Sequence, residues 1–381
     1  MLMVKLVGKK SNRKLKKDKD LKNPGNNLKE NTTDDSAVQY DNNELCDQGV
    51  KYYLEGDYES AIKSFEKALK IDPTDELIWN NKGVTLDALG RHDEAIKCYD
   101  RSIKLNPKFD LAWYDKGNTL RFLGKFDDAL ECYNLALKIN PKSAETWNDK
   151  GELYHLLGDP EEALKCYDKV IELGHINEIT LNNKGVALDN LSKHKEAIKC
   201  YESALKIEPK YEVAWVNKGS SYVFQGKFKQ ALECYNTALK INSNYELAWS
   251  SKGDLFGHLG RLEEAIKCYE HAIKLNPKFD EAYKGKADVL SQLGKFEEAV
   301  ENYNKALRID STKADVWSRK GAALSVMKSH NNAIRCLRKS LKLKPNKEVK
   351  DLLDRLIFEQ KEYHRSKHEN IKKIRKDKDN D

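Results

Sequence analysis

The sequence predicts an all-α solenoid of stacked helical hairpins, and three observations carry that expectation. All six tryptophans, Trp79, Trp113, Trp147, Trp215, Trp249 and Trp317, are separated by 34 residues or a multiple of it. Six of the eight prolines (Pro73, Pro107, Pro141, Pro209, Pro277 and Pro345) keep that phase, and so do eight glycines from Gly49 and Gly83 to Gly321. Leu45, Leu181 and Tyr283 stand where a tryptophan is missing, and Ala287 where a glycine is. With the residue three before each tryptophan as position 1, nine units tile the chain without insertion. They are 42–75, 76–109, 110–143, 144–177, 178–211, 212–245, 246–279, 280–313 and 314–347. A fixed period of this length marks units that bury their apolar faces only against their neighbours.

Each unit predicts two helices. In 76–109, Trp79, Gly83 and Leu86 share one helix face at i, i+4 and i+7. Gly90 permits a tight turn, and Asp93 and Glu94 open the second helix, where the macrodipole favours negative charge. Ala95, Ile96, Tyr99, Ile103 and Leu105 supply its apolar stripe, and Asn106-Pro107 ends it because proline cannot continue the hydrogen-bond ladder. Pro160 falls where a second helix begins, a position that tolerates it. Small residues at positions 8 and 20 allow close approach, with Tyr or Phe at position 24 filling the space between.

The flanks differ. Residues 1–41 lack the period and carry 10 Lys/Arg against 6 Asp/Glu, concentrated between Lys9 and Lys22, which predicts a disordered basic arm. The unit 314–347 is degenerate, with Lys328, Leu337 and Ser340 in place of Gly, Tyr and Ala. Beyond it, Val349, Leu352, Leu353, Leu356 and Ile357 predict one more amphipathic helix over 348–362. It would cap an apolar face otherwise left open. Residues 363–381 read as a charged, solvated tail.

The pattern W-x3-G-x2-L/Y…G…A-x3-Y/F-x2-A…P at period 34 resembles the tetratricopeptide repeat, in nine copies over about four fifths of the chain. The resemblance implies a right-handed superhelix, with first helices lining a concave groove and second helices outside. Position 7 departs from the family, being Lys in eight units (Lys82, Lys116, Lys150, Lys184, Lys218, Lys252, Lys286 and Lys320). The simplest reading is a stem lying along the apolar stripe with its ammonium in water.

In this family the groove is lined by positions 2, 5, 6, 9 and 12 of the first helix. Here those positions hold eleven acids against Arg121, Lys284 and Arg319, a formal balance of −8 within a chain of net charge +7. Such a surface repels phosphate and suits a neutral or basic segment. Position 6 runs Asn81, Asp115, Asp149, Asn183 and Asn217, with Asn80, Asn148 and Asn182 beside three of them and Asn118 one turn on. An amide both donates to and accepts from a peptide backbone, so the row is similar to the asparagine ladder of O-GlcNAc transferase solenoids. With Glu152 in the same groove, Tyr114, Phe122, Val216, Val223 and Phe224 offer apolar anchors. The alternative is that the row serves helix–helix contact. The dicarboxylate clamp that holds acidic chaperone tails has no complete set here, so such a tail is not an expected partner.

Cysteines recur at position 23 from Cys98 to Cys268, with Cys46 and Cys336 elsewhere. Equivalent helices stand about 8–10 Å apart, too far for a disulfide's ~4.4–6.8 Å Cα spacing, so small thiols in a reducing cytoplasm are expected. No CxxC, P-loop, GxSxG or HExxH motif occurs, and of nine histidines only His364 and His368 show i, i+4 ligand spacing. Neither a cofactor nor a metal is expected. No run approaches the ~18 apolar residues of a membrane span, and Met1 to Val7 is too short for a signal sequence. The expected function is a non-enzymatic scaffold holding a peptide or extended protein segment in the groove, with self-association open. The competing reading is a tether whose basic arm, the one expected route to nucleic acid or a membrane, binds RNA or anionic lipid.

Overall fold

The computed structural model describes residues 41–378, of which 363, 364 and 367–378 are described in backbone only. The basic arm, including Lys9 to Lys22, lies outside the described residues. Among them the secondary structure is entirely helical, and the chain divides into two compact units at His175/Ile176.

In the first unit the helices are α1 Asn42–Leu54, α2 Tyr58–Ile71, α3 Glu76–Ala88, α4 His92–Leu105, α5 Asp110–Phe122, α6 Phe126–Ile139, α7 Ala144–Leu156 and α8 Pro160–Glu172. The second unit holds α9 Glu178–Asn190, α10 His194–Ile207, α11 Glu212–Phe224, α12 Phe228–Ile241, α13 Glu246–His258, α14 Leu262–Leu275, α15 Asp280–Gln292, α16 Phe296–Ile309, α17 Ala314–Val326, α18 His330–Leu343 and α19 Lys347–Lys378. Odd-numbered helices up to α17 are the first helices of repeats, and each packs most heavily on the even-numbered helix that follows it. The all-α solenoid expected from the period is therefore present.

Two features of the repeat explain the hairpin. The turn between helices needs a left-handed residue, which Gly90 supplies with φ 77°. Within the hairpin, a Cβ on Gly83 would lie 2.6 Å from the ring of Tyr99, so only glycine lets the tyrosine of the second helix seat against the first. Between successive hairpins of a unit, the tryptophan indole closes the joint. Trp79 Nε1 donates to the carbonyl of Pro73 at 3.0 Å, and Trp113, Trp147 and Trp215 repeat this bond to Pro107, Pro141 and Pro209. The phases of tryptophan and proline are thus the two ends of one hydrogen bond.

Lysine at position 7 does more than extend its stem into water. Lys82 Nζ lies 2.8 Å from Glu66 of the preceding repeat and 5.9 Å from the Trp79 ring centre. Lys116–Asp100 and Lys218–Glu202 make the same pair, each over its own tryptophan.

The last helix departs from expectation. It runs Lys347–Lys378, through the 363–378 segment read from sequence as a tail. No glycine or proline follows Pro345 to stop it, and Lys, Glu and Arg are good helix formers. Its first turns do cover repeat nine, with Leu353 and Leu356 buried among Leu324, Ile334 and Leu337. After α8, the Asn-Pro that follows α4, α6 and α14 is replaced by Gly174 at φ 79° and His175.

Candidate functional site

The first helices carry the candidate residues, and the structure uses many of their polar groups inside the stack. Position 5 of one repeat meets position 6 of the next. Asn80 donates from Nδ2 to Asp115 Oδ2 at 2.8 Å, and Tyr114 donates its hydroxyl to Asp149 Oδ2 at 2.5 Å. In the second unit Asn217 donates to Asn182 Oδ1 at 2.9 Å. Asn81 points its amide at Cys46 Sγ, 3.9 Å away. Asn80, Asn81, Tyr114, Asn182 and Val216 are all buried, with Asn80 only 1% exposed. Neighbouring first helices therefore shut Asn80, Asn81 and Asn182 off from solvent, with the side-chain oxygens of Asn80 and Asn81 buried without a hydrogen-bond partner.

A second network joins each hairpin internally. The position-24 tyrosine reaches across to position 9, with Tyr133 donating to Asn118 Oδ1 (2.6 Å), Tyr269 to Asp254 (2.7 Å) and Tyr303 to Asp288 (2.6 Å). Burial pushes the Asp254 and Asp288 carboxyls above the ordinary carboxylate range, although these tyrosine bonds pull the other way. Asp115 is pushed up to about 7, chiefly by burial, with Asp87 and Asp110 adding to the rise and Asn80 opposing it. Asp149 is raised by burial too. Arg121 lies 3.7 Å from Glu152, Lys284 3.3 Å from Asp315 and Arg319 3.2 Å from Asp288. Those three cations are already counted in the formal −8, and Asp115 near 7 makes the face slightly less negative than that at neutral pH. Of the remaining candidates, Asn148 donates to Glu152 at 3.2 Å, and Asn183 and Asn217 are half-buried.

Apolar side chains stay exposed at the last position of several first helices, Leu54, Leu156 and Val326 among them, and the two phenylalanines are the most exposed. Phe122 and Phe224 are 74% and 71% exposed, unusual for phenylalanine in a packed helix. Each leans on a histidine of the preceding repeat, Phe122 on His92 with ring centres 4.7 Å apart and Phe224 on His194 at 4.9 Å and near-parallel. A carboxylate steadies each imidazole, with His92 Nδ1 2.6 Å from Asp87 and His194 Nδ1 2.9 Å from Asp189. The two Asp–His–Phe clusters are offset by three repeats. The histidines escaped sequence reasoning, although the signal was there, since NNKGV-x-LD precedes His92 and His194 alike.

Beside Phe224 the face opens. Position 6 shrinks to Ser251 and then Gly285, leaving a cavity of about 450 Å³ bordered by Phe224, Asp254, His258, Lys284, Asp288 and Arg319. None of this resembles a catalytic centre. Cys98, Cys132, Cys166, Cys234 and Cys268 are buried, and burial pushes their thiols up to about 11, away from the reactive thiolate. Among the described residues no group of three His, Cys, Asp or Glu side chains could hold a metal ion. No described helix is long and apolar enough to cross a membrane.

Comparison with known proteins agrees with this architecture. The model of the cilia and flagella-associated protein 70 C-terminal domain matches residues 167–381, more than half of the chain. The tetratricopeptide repeat model matches 77–109, 111–143 and 144–175, and a further TPR repeat model matches 49–90. The chain belongs to the tetratricopeptide repeat family, and over its larger part to the family of that cilia and flagella-associated domain. Among solved structures, it is similar to a tetratricopeptide repeat protein from Parabacteroides merdae. That match has 17% identity and a TM-score of 0.53 and covers 65% of this chain and 98% of that one. It is also similar to YrrB, described as a TPR protein with an unusual peptide-binding site. The identity is 22% and the TM-score 0.44, over 49% of this chain and 97% of that one. The family is in general a non-catalytic protein-interaction fold whose members bind proteins or peptides.

Proposed function

We propose that the protein is a non-enzymatic scaffold whose units each hold an extended peptide segment against their own first helices, the first through the Phe122 cluster and the second through the Phe224 cluster. The observation that carries this reading is the pair of phenylalanines left in solvent yet held rigid by imidazole and carboxylate. Burying one such ring contributes roughly 1.5–3 kcal/mol, and a pre-stacked ring loses little rotamer freedom on binding. Around the rings, Asp115, Asn118, Asn148, Asp149, Glu152, Asn183 and Asn217 supply polar contacts, with Asn80, Tyr114 and Asn182 holding Asp115, Asp149 and Asn217 in place and Asn81 and Val216 buried in the stack. Remaining negative charge favours a neutral or basic segment.

A peptide selected from a displayed library against the full chain provides the probe. Phe122→Ala combined with Phe224→Ala is expected to weaken that peptide at least tenfold while leaving the circular dichroism spectrum and the melting temperature unchanged. An unaltered dissociation constant contradicts the assignment.

A further inference from the structure

The second helices also carry an exception. Every even-numbered helix from α2 to α16 contains at least one acid, whereas α18 has Arg335, Arg338, Lys339 and Lys342 and no acid at all. Their spacing of i, i+3, i+4 and i+7 sets the four along one face of the helix, and all four are exposed. They border a cavity of about 710 Å³ between α16 and α18, floored by Trp317 and Lys320 of α17.

Lys320 adds a fifth cation from the other side. It is the position-7 lysine of its repeat, and it lies 5.2 Å from the Trp317 ring centre as its counterparts do. Lys82, Lys116, Lys218 and Lys286 each meet an acid of the preceding repeat within 3.0 Å. For Lys320 that place is taken by Asn304, which lines the cavity, as it is by Asn236 for Lys252 and by Asn134 for Lys150. Among the described residues no ion pair engages any of the five cations. What sets this repeat apart is that the four cations of α18 join Lys320 around an open cavity whose lining holds no acid.

We propose that this cavity is a second binding site, one that takes a short acidic protein segment. From Arg335 to Lys342 the helix rises about 10.5 Å, the span of about three residues of extended chain. A run of three or four anionic side chains therefore matches the cations, and charge-assisted bonds from arginine favour carboxylate or phosphate forks. A nucleic acid fits less well. The Trp317 face that would stack a base is covered by Lys320, and the flanking α16 presents exposed Glu297, Glu298 and Glu301 to any phosphate backbone that continues past the cavity. The site lies away from the first-helix face and shares none of its residues.

The test is fluorescence anisotropy on the full chain at low salt. The labelled probes are a hexaglutamate peptide, a phosphoserine peptide of equal charge, a neutral Gly-Ser peptide and a single-stranded oligonucleotide of equal charge. Both acidic peptides are expected to bind, the neutral one not. Arg338→Glu with Lys339→Glu, at exposed positions, should weaken the acidic peptides at least tenfold with helicity unchanged. The milder Arg338→Gln with Lys339→Gln should fall between. The same reversal at Lys63 and Lys67 of α2 should have no effect. Preference between the two acidic peptides identifies carboxylate or phosphate as the natural anion. Binding that survives the α18 reversal, or an oligonucleotide that binds more tightly than either peptide and is lost with it, overturns the proposal.

Discussion

The two units build the same contact between first helices with different chemistry. In the first, the slot between positions 5 and 6 holds a carboxylate in both Asn80–Asp115 and Tyr114–Asp149. In the second, the equivalent of Asn80–Asp115 is the neutral Asn182–Asn217, after which Ser251 and Gly285 leave the slot open. Repeat geometry thus tolerates a buried acid, an amide or nothing at this place. What the choice alters is charge and room on the face, not the stack. Both units keep the Asp–His–Phe cluster at corresponding positions.

The largest effects should be the same in both units, since they concern the stack itself. A Cβ at Gly83 or Gly219 would lie 2.6 Å from the ring of Tyr99 or Tyr235. Gly83→Leu and Gly219→Leu are each expected to cost about 3 kcal/mol through overpacking, read as a lower urea midpoint. A loss in one unit without a matching loss in the other would show that the two are not built alike.

A smaller effect separates the units. Asp115 titrates near 4 in an unfolded chain and is pushed up to about 7 by burial in the fold. The folded state therefore holds its proton more tightly, and this stabilising contribution is fully present below pH 4 and lost as pH rises towards 7. Asp115→Asn, which recreates the Asn182–Asn217 pairing, should raise the melting temperature by roughly 2–4 °C at pH 8 and change nothing at pH 4. Asn217→Asp should introduce the same pH dependence into the second unit.

The smallest expected change concerns turns. The first unit has glycine at every left-handed turn between paired helices, whereas the second places Ser192 and Lys328 there, both at φ 59°. A side chain in that region costs about 1–2 kcal/mol, partly offset by glycine's greater freedom when unfolded. Ser192→Gly should stabilise by about 0.5–1 kcal/mol in thermal unfolding, and Gly90→Ser should destabilise by a similar amount.

Much of this was legible in the residues because it depends on period. Trp79, Gly83, Tyr99 and Pro107 each recur in a phase that admits one architecture, and their burial and bonding followed. The face was harder to read. Asn80 and Asn81 have the residue type of a ligand contact, and only the distance between neighbouring helices decides whether their amides meet solvent or a side chain of the adjoining repeat. Phe122 and Phe224 were legible as anchors, but His92 and His194 belong to the second helix of another repeat, which no single-helix pattern brings beside them. The absence of an acid partner for Lys320 needs a pairing between repeats that spacing alone does not reveal. The final helix outran its expected end because an apolar stripe marks where packing stops, while helix propensity carries the backbone further.

The central claim is that partners lie on the first-helix face through its exposed phenylalanines. Photo-cross-linking tests it most directly, with the selected peptide carrying a benzophenone and adducts mapped by mass spectrometry. The account predicts adducts within 110–122 and 212–224. Adducts confined to the even-numbered helices, with none on the residues around Phe122 or Phe224, would contradict it.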